Sequence, residues 1–335
     1  MTRKIRWGVL GCADIATKSV IPAIQSSRLG RVSAIASRDP GKATQMAARF
    51  GIDRAYGSYE ALLADPDIDA IYNPLPNHLH VPLTIRALQH DKPVLCEKPI
   101  ALSAAQALEL QTPHKAARLP VAEAFMIRYH PQWKKARALV AEGRLGEVRA
   151  IQTIFSYYLD DPANVRNQAD IGGGGLFDVG CYAINTARLL FEAEPARAIA
   201  LMERHPVFGT DRLTSGLLEF PEGRQLAFTC STQLALTQKV TVLGTLGRLE
   251  IPIPFNAPAD KPTVLVLDDG RDLAGGGREQ IAIEPADQYR EQVDAFAESV
   301  LFGTPLDTGL ENALANTRAI DALFRSAVSG RWEEP

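Results

Sequence analysis

Short apolar runs alternate with amphipathic stretches through the first 120 residues. Ile5–Leu10 reads as a strand, followed by a Gly/Ala-rich turn and a helix through Ile21–Gln25. Val32–Ser37 reads as a second strand, closed by Asp39-Pro40-Gly41, and Lys42–Phe50 as the next helix. Ala70–Asn73, a helix over His78–Gln89 and the strand Pro93–Cys96 follow, and Ser103 caps one long alanine-rich helix towards Ala117. Strands spaced by helical segments indicate β-α-β crossovers, hence a doubly wound parallel sheet.

The pattern changes near Glu123. A helix over Gln132–Ala141 leads into Glu147–Tyr158, which is rich in β-branched and aromatic residues. From Ala198 to about Glu284, strand-like runs are punctuated by Pro221-Glu222-Gly223, Gly244-Thr245-Leu246-Gly247 and Asp268-Asp269-Gly270. Strands without intervening helices predict a mainly antiparallel sheet. Two amphipathic helices, Gln288–Leu301 and Glu311–Val328, follow, and Gly275–Gly277 reads as a mobile surface turn. The expected fold class is therefore α/β plus α+β. A doubly wound domain over residues 1–122 is followed by a mainly antiparallel sheet domain over 123–335.

The chain length of 335 residues suits two domains at about 150 residues each. Its 36 basic and 39 acidic residues leave a net charge of −3, which argues against a surface built for nucleic acid. No run reaches the roughly 18 apolar residues of a membrane span. Met1–Arg6 is basic, but the apolar run after it is broken by Asp14 and meets no small-residue cleavage site, so a cytoplasmic location is expected. The four cysteines are scattered singly, which indicates neither a disulfide framework nor a metal site. His78 and His80, two apart in a proline-rich loop, suit ligand contact better than a metal.

Candidate chemistry begins at Gly8-Val9-Leu10-Gly11-Cys12-Ala13-Asp14-Ile15-Ala16. Against the dinucleotide fingerprint G-x-G-x-x-G/A, the aligned positions are Gly11, Ala13 and Ala16, so Ala replaces the second glycine. The second strand runs into Ser37-Arg38-Asp39. A hydroxyl followed by a guanidinium suits the 2′-phosphate of NADP, although Asp39 could serve NAD. As an Asp before Pro-Gly, Asp39 also reads as a turn and cap residue. Glu97-Lys98-Pro99 directly follows a parallel strand, where ligands sit in open α/β sheets. Gly172–Gly175 precedes a helical run in which Asp178 and Tyr182 are i and i+4. His130 is a candidate for the same cleft, with packing as the alternative; Trp133 and Phe155 read as core.

Together, Gly11-Cys12-Ala13, Pro76-Asn77-His78-Leu79-His80, Glu97-Lys98-Pro99 and Asp178-x-Gly180-x-Tyr182 resemble the Gfo/Idh/MocA oxidoreductase family over nearly the whole chain. Glu123-Ala124-Phe125-Met126 and Gly172–Gly175 are similar to its sugar-oxidising branch, which includes NADP-dependent D-xylose dehydrogenases, glucose–fructose oxidoreductases and dimeric dihydrodiol dehydrogenases. The resemblance implies that residues 1–122 form a Rossmann dinucleotide-binding domain and 123–335 an open-faced sheet domain for substrate binding and dimerisation. It implies a nucleotide held by Gly11, Cys12, Ala13, Asp14, Ile15, Ser37, Arg38, Leu75, Asn77, His80, Glu97, Lys98 and Arg166. It places Asn77 and His80 at the nicotinamide ribose. It implies Lys98 and Tyr182 as the acid–base pair and Asp178 as a carboxylate at the sugar site. The inositol-oxidising branch carries His where this chain has Tyr182.

The expected activity is transfer of a hydride between nicotinamide and a sugar, such as D-xylose or D-glucose, or a related cyclic diol. NADP is the expected cofactor, with NAD as the alternative, and no metal is involved. A homodimer or dimer of dimers through the sheet is expected. Two alternatives are a nucleotide-dependent glycosidase of the same fold and a non-catalytic nucleotide sensor. The second would predict damage to the acid–base pair, yet Lys98 and Tyr182 are both intact.

Overall fold

A computed structural model describes residues Arg3–Pro335. Met1 and Thr2, which open the basic stretch Met1–Arg6, lie outside the described residues. The chain divides into two compact units, one of residues 1–126 with 287–314 and the other of 127–286 with 315–335.

The first unit is built on a six-stranded, wholly parallel sheet. Its strands are β1 (Ile5–Leu10), β2 (Gly30–Ala36), β3 (Arg54–Tyr56), β4 (Ala70–Asn73), β5 (Val94–Cys96) and β6 (Val121–Glu123), in the order β3-β2-β1-β4-β5-β6. The helices are α1 (Ile21–Ser26), α2 (Pro40–Phe50), α3 (Tyr59–Leu63), α4 (His80–Gln89), α5 (Ala104–Leu108) and α6 (Gln111–Ala117). Apolar clusters cover both faces of the sheet, which is why its strands read as continuous rather than alternating apolar runs. Strand order reverses between β1 and β4, the point where ligands bind beyond the carboxyl ends of such sheets.

Two sequence expectations change here. Ser103 does cap a helix, accepting from the Gln106 N–H at 3.1 Å, but the expected single helix to Ala117 is two, α5 and α6. Pro113 is the reason: its ring clashes with the preceding turn and it has no N–H to continue the ladder. The short strands β3 and β6, three residues each, carry too little periodicity to be read in sequence.

The first unit also takes in α9 (Gln288–Phe302), a stretch that a boundary at 122 assigns to the second domain. Phe296 of α9 is fully buried with its ring 5.3 Å from Trp7, and Val293 and Ala297 join the same apolar cluster. Leu310, Ala313 and Leu314, at the start of α10 (Leu310–Ser329), pack into the cluster on the other face.

The second unit contains α7 (Pro131–Ala141), α8 (Cys181–Phe191) and an eight-stranded sheet. Its strands are β7 (Val148–Tyr158), β8 (Arg197–Arg204), β9 (Asp211–Glu219), β10 (Gln225–Ser231), β11 (Gln233–Gly244), β12 (Arg248–Ile251), β13 (Thr263–Asp268) and β14 (Arg278–Ile283). They are ordered β14-β13-β12-β11-β7-β10-β9-β8, and only β7 and β10 pair in parallel. Helix α8 packs on β7 and β10 and is buried along its whole length, with its polar side chains paired: Asn185 Oδ1 accepts from Arg128 Nε at 2.9 Å, and Arg188 Nε donates to Glu194 Oε2 at 2.6 Å. The turn around Gly275–Gly277 joins β13 to β14, with Gly276 N–H donating to Asp272 Oδ1 at 2.9 Å. All four cysteines are free. Among the described residues no helix is long and apolar enough to cross a membrane, and no cluster of His, Cys, Asp and Glu could hold a metal.

Candidate active site

In the first unit the chain leaves β1 at the switch point through Gly11. Its φ of +86° is left-handed, and a Cβ there would lie 2.7 Å from Leu75 Cδ2, so only glycine fits. The Gly11 N–H donates to Ala36 O at 2.7 Å, tying the turn to β2. The helix then opens: Thr17 N–H donates to Ala13 O at 3.0 Å, and a wide turn over Ala16–Val20 passes into α1. Ala16 is fully buried, consistent with a small residue at the helix–sheet contact. The backbone N–H groups from Cys12 to Ile15 thus open a helix where anions are held. The Asp14 side chain is exposed and paired with Lys18 at 2.7 Å. Burial raises the pKa of the Cys12 thiol, against a hydrogen bond with Ser37.

At the end of β2, Asp39 caps α2: its Oδ1 accepts from the Lys42 N–H at 3.2 Å, with Pro40 at the first helical position. Ser37 is buried and its Oγ accepts from the Asp39 N–H at 3.1 Å. Arg38 is exposed beside Tyr59, where its guanidinium works against the burial that raises the Tyr59 phenol. Tyr59 has no sequence signal beyond following a Ser58 cap; its hydroxyl lies 3.9 Å from where a Gly11 Cβ would stand.

The Glu97-Lys98-Pro99 turn leaves the carboxyl end of β5 fixed at several points. Glu97 N–H donates to Asn73 O at 2.9 Å, and Glu97 Oε1 accepts from the buried Tyr72 hydroxyl at 2.7 Å. Beyond a cis Lys98–Pro99 peptide, Ile100 N–H donates to Glu123 Oε1 at 2.8 Å. Lys98 is half-buried, as is Asn77, which opens a short turn before α4.

His80 departs from its expected place at a ribose. The ring is completely buried, with Nδ1 2.7 Å from Pro99 O and Nε2 2.6 Å from Leu75 O. Two carbonyls favour the doubly protonated ring, but burial is the larger effect and pushes the pKa down to about 4. A neutral ring carries one N–H and can donate to only one of them, so the two close carbonyls and the burial pull in opposite directions. Both ring nitrogens serve the protein backbone, so His80 braces the Lys98–Pro99 turn instead of facing a ligand.

In the second unit, Gly172–Gly175 explains itself by contact. A Cβ on Gly173 would fall 2.6 Å from Arg166 O, and one on Gly174, at φ +123°, within 1.9 Å of Asp211 Oδ1. Asp211, at the start of β9, accepts from the Leu176 N–H at 2.6 Å and from Thr214 Oγ1 at 3.1 Å. Burial raises Asp211 to about 6. The helical run expected from Leu176 begins as a wide π turn, Leu176–Gly180, before regular α8. Such turns recur at functional sites.

Asp178 lies in that wide turn and Tyr182 on α8. Asp178 Oδ2 accepts from Arg166 Nε at 3.0 Å and from the Tyr157 hydroxyl at 2.5 Å. Arg166 is thus held by Asp178 in the second unit. Tyr157, on β7, escaped the sequence reading because nothing local marks it. Tyr182 sits among aromatics, 5.8 Å from Phe155 and 5.4 Å from Phe255 between ring centres. Phe155 and Trp133 are core, as expected; Trp133 Nε1 donates to Pro254 O at 2.8 Å. His130 is buried and caps α7, its Nδ1 accepting from the Gln132 N–H at 3.1 Å.

The first unit fits a dinucleotide. Gly11 leaves open a cradle that a Cβ would fill, the helix start presents its amides, and Ser37 and Arg38 stand at the end of β2.

Residues 5–125 match the model of an oxidoreductase family with an NAD-binding Rossmann fold, and residues 133–250 match the GFO/IDH/MocA C-terminal domain. The chain is 46% identical to an uncharacterized oxidoreductase of Rhizobium meliloti over 329 residues, covering 98% of each chain. It is 40% identical to D-xylose 1-dehydrogenase (NADP(+)) of Haloferax volcanii, over 97% of this chain and 98% of the other. A 3-ketoreductase from Actinomadura kijaniata, solved in complex with NADP and TDP-benzene, superposes with a TM-score of 0.90 at 32% identity. That match covers 97% of this chain and 98% of the ketoreductase. With both halves matched and full-length relatives well above 30% identity, the chain belongs to the GFO/IDH/MocA family and is an oxidoreductase built on an NAD-binding Rossmann domain.

Proposed function

We propose that the protein is an NADP-preferring dehydrogenase acting on a CH–OH group of an aldose, such as D-xylose or D-glucose, or of a related cyclic diol. The observation that carries this reading is the braced Lys98 turn at the carboxyl end of β5, in an oxidoreductase with a dinucleotide cradle at Gly11. NADP preference rests on Asp39: its carboxylate caps α2, leaving Ser37 and Arg38 to receive a 2′-phosphate. Likeness to the Haloferax volcanii dehydrogenase supports both the sugar and the cofactor.

Bound NADP supplies the hydride acceptor at nicotinamide C4. The chain's own residues handle the substrate. Tyr182 takes the proton from the sugar hydroxyl as the carbon–hydrogen bond breaks and a carbonyl forms. Lys98 supplies the positive charge that a tyrosinate base requires and holds the hydroxyl oxygen. Asp178 accepts hydrogen bonds from neighbouring ring hydroxyls. Gly11, Cys12, Ala13, Asp14 and Ile15 bind the nucleotide phosphates through their backbone. Leu75, Asn77, Glu97 and Arg166 border the remainder of the nucleotide.

Run in reverse, the same residues would reduce a keto sugar, with Tyr182 as proton donor. The 0.90 superposition on a 3-ketoreductase holding TDP-benzene favours this second reading. A panel of aldoses, cyclic diols and nucleotide-linked keto sugars, with NADP, NAD and their reduced forms, separates the two by reduced-nicotinamide absorbance. No turnover of any panel member would overturn both.

We further propose that the open face of the eight-stranded sheet pairs two copies of the chain. It carries a shallow apolar depression of about 880 Å³, lined in part by Ile154, Ile199, Leu201, Leu217 and Ala227. Leu201 is 81% exposed there, which a monomer has little reason to tolerate.

A further inference from the structure

We propose that Tyr157 is a positioning residue for the reaction, fixing the Asp178 carboxylate in one charged orientation before the sugar binds. The inference rests on the assignment of Asp178 to the sugar site made above.

Side chains alternate across β7, so Phe155 and Tyr157 emerge on the same face of the sheet. Phe155 lies against Phe255, 4.6 Å between ring centres, and edge-on to Tyr182. Tyr157 therefore emerges on the face that carries α8. Its hydroxyl reaches Asp178 Oδ2 at 2.5 Å, and Arg166 Nε reaches the same oxygen at 3.0 Å. One carboxylate oxygen thus takes a phenol and a guanidinium, from a strand and from a loop. Charge-assisted bonds of this kind are about twice as strong as neutral ones. Two donors from different directions remove the rotational freedom that Asp178 would otherwise have on the wide Leu176–Gly180 turn.

The chemistry separates the two tyrosines. Burial and the Asp178 charge both raise the Tyr157 phenol, while Arg166 opposes them without reversing the shift. Tyr157 therefore keeps its proton and stays a donor throughout the working pH range. It cannot be the base, which leaves that task to Tyr182. The same contact keeps Asp178 an acceptor, the form needed to orient sugar hydroxyls. Pre-setting an acceptor in this way spares the substrate the cost of ordering it.

The test is a double-mutant cycle of Tyr157→Phe and Asp178→Asn, using the panel sugar of highest turnover with saturating nucleotide. Sugar affinity is measured separately by calorimetry. Tyr157→Phe keeps the ring and loses the donor, so sugar KM should rise by roughly tenfold, the scale of one charge-assisted bond. Nucleotide affinity should stay unchanged, and so should the shape of the pH profile of kcat, because Tyr157 does not titrate. Asp178→Asn alone should cost more, and the double variant no more than Asp178→Asn. A merely structural tyrosine would lower the melting temperature and multiply its loss onto that of Asp178→Asn, which would overturn the inference and leave the site assignment standing. Near-parental kinetics in Asp178→Asn would overturn both. Should Tyr157→Phe not fold, Arg166→Lys in the same cycle reads the remaining donor; losses multiplying there would also overturn the pre-set carboxylate.

Discussion

The buried carboxylate of Asp211 accepts the backbone N–H of Leu176 at 2.6 Å and so closes the start of the turn that carries Asp178. The two residues are 35 apart in sequence. Gly174, two residues before Leu176, lets Asp211 in, because a Cβ there would overlap Asp211 Oδ1.

This contact has a pH signature. Burial raises Asp211 from the ordinary carboxylate range to about 6, so the folded state holds a proton that the unfolded chain releases near pH 4. Stability from this group is full below about pH 4 and is lost as pH rises through about 6, on the order of 3 kcal/mol in all. Asp211→Asn removes the titration. Melting temperatures measured from pH 4 to 7 should show the parent losing stability relative to the variant across that interval. A constant difference would remove Asp211 as the source.

Nucleotide choice should follow Arg38. Arg38→Ala should raise the KM for NADP by roughly ten- to a hundredfold while sparing NAD, as expected when about 1.5–3 kcal/mol of charge-assisted contact is lost. Asp39→Ala should instead cost about 1 kcal/mol of stability through the lost α2 cap, with little change in the NADP to NAD ratio. Steady-state kinetics with both nucleotides and a thermal melt measure the two effects. Gain of NADP use in Asp39→Ala would mean that the carboxylate reads the ribose after all.

Proton transfer should depend on Tyr182. Tyr182→Phe should lower kcat by about 100- to 10,000-fold, the usual worth of general base catalysis, with nucleotide affinity nearly unchanged. Lys98→Met should also lower kcat, and the double variant should cost less than the two losses combined, because groups acting as a unit are not additive. Kinetics against pH for all three, with separate nucleotide titrations, check this. Ordinary turnover in Tyr182→Phe would remove it from the reaction.

Assembly should depend on the open sheet face. Leu201→Asp places a charge in the apolar depression and should convert a dimer, or dimer of dimers, to smaller species without lowering the melting temperature of the isolated chain. Light scattering at micromolar concentration is the measurement. A monomeric parent would end the idea.

Both architectures and most of the turn that leaves β1 were legible in the sequence, because they depend on neighbours within a few residues. Period and turn chemistry mark β1, β2 and β4. Gly11 is needed by a turn one residue long, and Asp39-Pro40 declares its own cap. Tertiary structure alone decided the rest. Tyr157 meets Asp178 across 21 residues, Asp211 meets Leu176 across 35, and α9 returns to pack Phe296 on Trp7. It also turned His80 inward, onto two carbonyls that no spacing rule brings together. Local preferences are set by backbone sterics and side-chain period, which the sequence displays directly. Hydrogen bonds between distant strands and helices form only when burial of apolar faces has brought those elements together, and many sequences with the same periods could bring together different partners.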